Sequence, residues 1–173
     1  EYLEQMAGKF FDLLQKYHGL GERERLLLRL AAILHDCGKF ISMSAPGECA
    51  YQIIMSTEIL GISHMEREMV ACIVRYNTME LPNFSEFDGK LGNDKYLIVM
   101  KLAAILRVCN ALDRSHRQKF ADMKLTIKDS NIVITTAYPD NITLEKKTLQ
   151  DKQDFFEEVY GLGFEIKQKK KKQ

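Results

Sequence analysis

Most of the marks that announce a function are missing from this chain. It has no phosphate-binding P-loop, and Ser115-His116 has no nucleophile-elbow context, so neither Walker-type nucleotide hydrolysis nor serine-hydrolase chemistry is indicated. No window approaches the ~20 apolar residues of a membrane span. The opening EYLEQMAGKFFDLL lacks the basic and apolar regions of a signal peptide. Neither sign of charge dominates, with 25 Lys+Arg against 24 Asp+Glu. The whole-molecule field is therefore too weak to imply a membrane or a specific nucleic acid as partner, and any anion site must be a local patch. Cys37, Cys49, Cys72 and Cys109 are far apart, whereas structural zinc wants close pairs. They read as reduced thiols and the compartment as cytoplasmic. There is no internal repeat. The first residue is Glu1 and a helical pattern starts at once, which predicts a piece of a longer chain.

What the sequence does have is helical periodicity. At 173 residues it can build one domain with a full core, or a domain with a small appendage. Leu3, Met6, Phe10, Leu14 and Tyr17 predict a helix over about 2–18, stopped by the glycines of HGLG. A second helix is expected through Leu27, Leu30, Ile33, Leu34 and Cys37, with Gly38 at its C-cap. A loop and a helix ending near Leu60 follow. Ser63 and Glu66 form a capping box for the next helix, which buries Met65, Met69, Cys72, Ile73 and Tyr76. Residues 77–94 read as a long loop, and Asn93 as the N-cap of a helix running through Leu112. Past about residue 122 the period becomes two: KLTIKDSNIVITT predicts a hairpin, then an amphipathic helix over about 142–160, then a third strand in LGFEI. The expected fold is α+β and predominantly α-helical. A helical domain spans 1–121, and a small antiparallel strand-strand-helix-strand unit with a lysine-rich tail spans 122–173.

One stretch bears on chemistry. LAAILHDCGKF places His35 and Asp36 side by side at the end of a helix. Adjacent helical side chains diverge by ~100°, so they share an ion only if it sits over the groove between them and other helices add ligands. HD-type phosphohydrolases work this way. A bare His-Asp pair is nevertheless more often structural, and a carboxylate in a last helical turn opposes the macrodipole. Asp36 therefore needs a compensating cation, for which Lys39, Arg75 and Arg107 are candidates.

The surroundings narrow the choice. AAILHDCGKFISM, EILGISHMEREMVACIVRYN, LAAILRVCNALDRSHRQK and LEKKTLQDKQDFFEEVYGL, in that order, resemble the C-terminal HD-like domain of the exopolyphosphatase and guanosine pentaphosphate phosphohydrolase family. The resemblance implies a His, the His-Asp pair and a later Asp around a metal. Here Tyr2 and Leu3 stand where the first histidine belongs, Asn77 replaces the His of RYH, and Asn110 replaces the ligand aspartate. An amide oxygen is a far weaker ligand for a hard cation than a carboxylate. We therefore expect no metal here and no catalytic residue, with His35-Asp36 a degenerate pair. Convergence of His18, Asp113 and His116 on it would overturn that expectation.

By the same resemblance, hydrolysis belongs to separate N-terminal domains, where Mg2+ is implied, and this domain helps to hold a long polyanion. Arg114, His116, Arg117 and Lys119 are the expected polyanion-binding residues, together with Arg75 and Arg107 in their apolar helices. The bland reading of DRSHRQK is a solvated turn with surface ion pairs. The expected partners are polyphosphate or another phosphate-rich anion, the N-terminal catalytic domains and a second copy of the chain as a homodimer. The alternative is an autonomous HD-type metal-dependent phosphohydrolase acting on a nucleotide or phosphate ester.

Overall fold

Helices form where the apolar spacing demands them, and they pack so that one stripe of each reaches a shared centre. In a computed structural model that describes residues 1–87 and 91–169, α1 (Tyr2–Leu13) buries Leu3, Met6, Phe10 and Phe11. The predicted first helix is interrupted at Leu14, and a single turn, α2 (Gln15–His18), completes it. Gly19 ends that turn at φ 65°, a conformation that costs other residues about 1–2 kcal/mol. The central layer comprises α3 (Glu22–Leu34), α4 (Pro46–Met55), α5 (His64–Thr78) and the 20-residue α6 (Asn93–Leu112). The Ser63–Glu66 capping box is present on α5: Glu66 N–H donates to Ser63 Oγ and Ser63 N–H to Glu66 Oε2. The cap of α6 is Gly92, one residue earlier than expected.

The end of α3 differs from the sequence reading. The helix stops at Leu34, His35 is its C-cap, and Cys37–Phe40 form a short 3-10 helix. Gly38 therefore lies inside that 3-10 turn, and its role is close packing. A Cβ there would lie 2.6 Å from the Ala50 nitrogen and would overlap the Pro46 carbonyl oxygen.

The hairpin forms as predicted, with β1 (Lys124–Lys128) antiparallel to β2 (Asn131–Thr136). The helix expected over 142–160 is two helices, α7 (Thr143–Gln150) and α8 (Gln153–Tyr160), broken at Asp151-Lys152. The third strand, β3 (Gly163–Gln168), pairs with β2 in parallel, so the sheet is mixed, in the order β1-β2-β3. The expectation of a wholly antiparallel unit is corrected here. The two helices carry the chain back to the starting end of β2, which is the crossover that a parallel pair needs.

A single buried cluster runs from Leu3 through Val99, Leu102 and Ile105 to Ile132, Phe156 and Leu162, joining the helical part to the strands. No helix among the described residues is long and apolar enough to cross a membrane. The end of the expected lysine-rich tail, residues 170–173, lies outside the described residues, as do positions 88–90 of the long loop.

Candidate functional site

The His35-Asp36 corner is internally paired. Because Ala32 O can only accept, His35 Nδ1 donates to it at 2.8 Å, and Nε2 stands 3.4 Å from Asp36 Oδ2. Asp36 Oδ1 is 2.6 Å from Lys39 Nζ. Of the three cations that the sequence offered as compensators, Lys39 is thus the one in place. Burial lowers the His35 pKa, and the nearby Lys39 and His116 charges push the same way against Asp36.

Asp113 and His116 approach this corner closely enough for their charges to be felt at His35. His18 does not. It is buried at the other end of the helix pair, where Nε2 donates to Phe11 O at 2.9 Å and Nδ1 accepts from Leu20 N–H at 2.9 Å. Among the described residues, no group of three or more His, Cys, Asp or Glu side chains is placed to hold a metal ion. Tyr2, at the expected place of the first histidine, accepts from Phe120 N–H at 3.1 Å and so ties α1 to the loop after α6.

The six expected polyanion ligands separate into three groups. Arg75 is engaged with Glu48 and lies over the rings of Tyr51 and Tyr76, 5.2 and 5.4 Å from their centroids. Lys119 is engaged more tightly still. It donates to Asn141 O and to Glu145 Oε2, both at 2.9 Å, with side-chain exposures of 10% for Lys119 and 0% for Glu145. Burial works to raise the Glu145 pKa, but Ser115 and Lys119 outweigh it and hold the carboxyl below its ordinary value. These two cations staple the fold.

Arg107 is intermediate. Its Nε donates to Tyr76 O at 2.7 Å, another N–H reaches Met79 O, and the guanidinium lies 4.3 Å from the Phe155 ring centroid. It closes the end of α5, where helix carbonyls would otherwise lack donors. Arg114, His116 and Arg117 are exposed. Arg114 and Arg117 form no ion pair among the described residues, while His116 Nδ1 is 3.9 Å from Asp113 Oδ2. Asp113 shapes their turn, since its carbonyl accepts from His116 N–H at 2.8 Å and its Oδ1 from Gln118 N–H at 3.2 Å. His116 and Gln118 both take left-handed backbone, φ 53° and 51°, a strained choice that such bonds hold in place.

Two clefts flank Arg107, and their charge distinguishes them. The larger, about 450 Å³, has Glu80, Asp151, Asp154 and Glu158 against Arg107 and Lys152, an unsuitable lining for an anion. The other, about 370 Å³, sets Arg107, Arg114 and Lys152 against Asp151 alone. Asn77 and Asn110, two of the positions where the sequence departs from the expected HD pattern, both line this second cleft. Lys152 was not singled out from sequence, because nothing marks it among the alternating charges of EKKTLQDKQD. Glu145 had a usable signal: it falls on the same stripe as Ile142 and Leu149, where an acid must find a partner.

A mainly helical α+β domain with a small three-stranded mixed sheet is the class that this geometry defines. The chain belongs to the Ppx/GppA phosphatase domain III family, whose model matches residues 1–154. No curated protein sequence matches it.

Proposed function

We propose that this chain is a noncatalytic accessory domain of a Ppx/GppA-type phosphatase, and that it holds a phosphate-rich anion such as polyphosphate while hydrolysis takes place on separate domains. Mg2+ belongs to those domains in this reading. Arg114, His116 and Arg117 are the contact residues, and Arg75 and Lys119 are structural. The observation that carries the proposal is the turn built by Asp113, which carries two exposed arginines without an ion pair among the described residues in a chain of this family. Guanidinium groups match phosphate oxygens in shape as well as charge, and a chain held at several points stays attached while its end is shortened. A second copy of the chain is the other partner in this proposal, and light scattering tests it. Free thiols at all four cysteines suit a cytoplasmic setting.

Titration of the chain with long-chain polyphosphate, repeated with Arg114→Ala and Arg117→Ala, tests the polyanion role. We expect saturable binding that weakens in each variant and falls with salt. Absence of binding, or indifference to both changes, removes the role.

A further inference from the structure

The cleft lined by Arg107, Arg114 and Lys152 has features that a simple cationic patch does not need. Asn77 lines it at 2% exposure, and neither its Nδ2 nor its Oδ1 has a hydrogen-bond partner among the described residues. Buried amides in folded proteins are almost always paired, and an orphan one is an unmet demand for a donor and an acceptor together. Asp151 adds a second acceptor, facing the same space as the three cations. The break between α7 and α8 is what brings Asp151 and Lys152 to this rim.

These groups differ in what they ask of a ligand. Arginine and lysine only donate, and any oxyanion satisfies them. The Asp151 carboxylate only accepts, and Asn77 Oδ1 only accepts. A fully ionised, acceptor-only anion such as sulfate, or the interior of a phosphate chain, would face these oxygens with nothing to give. Orthophosphate near neutrality still carries a P–O–H, and so does the end group of a short chain. Such a group donates to an acceptor oxygen while its other oxygens take the cations and the Asn77 amide N–H.

We propose that this cleft is a discrete site for a terminal phosphoryl group that retains a proton, with orthophosphate or a phosphate-chain end as the ligand. It goes beyond the chain-holding role, since Asn77, Asp151 and Lys152 are not part of the exposed run at 114–117. The site selects phosphate over sulfate because an acceptor-only anion leaves the buried Asn77 Oδ1 unmatched and sets its own oxygens against the exposed Asp151 carboxylate.

Calorimetric titration of the chain with orthophosphate, sulfate, tripolyphosphate and cyclic trimetaphosphate at one ionic strength tests it. Trimetaphosphate has no end group. We expect orthophosphate or tripolyphosphate to bind at least ~10-fold more tightly than sulfate and trimetaphosphate. The stronger of the first two identifies the source, free phosphate or chain end. Lys152→Ala should weaken that ligand by ~10-fold. Asp151→Asn, at an exposed position that leaves the fold intact, should narrow the gap by improving sulfate. Asn77→Leu, checked for folding by its melt, should lose selectivity in the same direction. Equal affinity for all four anions overturns the proposal, as does no binding of either end-group ligand. Selectivity that survives in both Asp151→Asn and Asn77→Leu overturns it as well. Arg117→Ala separates the two readings: it weakens long-chain binding if the exposed run is the contact, and leaves the end-group titration unchanged.

Discussion

The corner at His35-Asp36 and the cleft at Asn77 lie on one domain and differ in how their polar groups are satisfied. At the corner, Asp36 has Lys39 and His35, and His35 has the Ala32 carbonyl. At the cleft, the Asn77 amide has no partner and Arg114 and Lys152 form no ion pair among the described residues. A pair that suggests chemistry has closed on itself, while a position where the expected histidine is replaced keeps its polar groups open. Ligand capacity follows unmet hydrogen-bonding demand and charge, and residue names alone do not reveal either.

Perturbation of paired and open groups should therefore give opposite signatures. The largest stability effect belongs to the buried Lys119–Glu145 pair. Lys119→Ala leaves a carboxylate of 0% exposure without its cation, and should destabilise by about 3–5 kcal/mol in denaturant unfolding. Lys119→Met with Glu145→Leu should recover most of that loss. Next comes Gly38→Ala, which forces the 3-10 turn away from α4, with an expected cost of about 1–3 kcal/mol. Asp36→Asn touches a half-exposed pair with Lys39 and should cost no more than ~1 kcal/mol. A larger loss would mean that the corner does more than neutralise its helix end. Arg117→Ala should change stability by less than ~0.5 kcal/mol while weakening polyphosphate binding.

Acid should act on the paired groups first. Burial lowers the pKa of both His18 and His35. Each therefore binds its proton less readily in the folded than in the unfolded chain, so the stability it contributes is present above the ordinary histidine pKa and is lost as pH falls below it. Protonation of His18 Nδ1 also removes the acceptor of the Leu20 N–H. Melting curves between pH 7 and 5 should show this decline, and His18→Asn should flatten it. At lower pH, Glu66 follows. Its hydrogen bonds to Arg23 and Ser63 hold its pKa down to about 2, so its contribution is lost only as pH falls from the ordinary carboxylate range towards that value.

Much of the helical architecture was legible, because a capping box such as Ser63–Glu66 and an apolar stripe such as that of α6 are local signals. The parallel pairing of β3 was not, since strand direction depends on where two intervening helices deliver the chain. Nor was the break at Asp151-Lys152: Ile142, Leu149, Phe156 and Tyr160 keep one helical stripe across it. The His35-Asp36 pair could be read from residues 30–40, but its cation could not, because Lys39, Arg75 and Arg107 were equal candidates until packing placed Lys39 against Asp36. Arg75 shows the same limit. Its spacing places it in a buried helix, and only the fold supplies Glu48.

In the proposed function, anions bind the open cations and not the His35-Asp36 corner. Long-chain polyphosphate titrated against an Arg114→Ala/Arg117→Ala double variant and, in parallel, against Asp36→Ala tests it most directly. We predict that the first loses most of its affinity and that the second binds as the parent does. Unchanged binding in the double variant, or loss of binding with Asp36→Ala in a chain that remains folded, would contradict it.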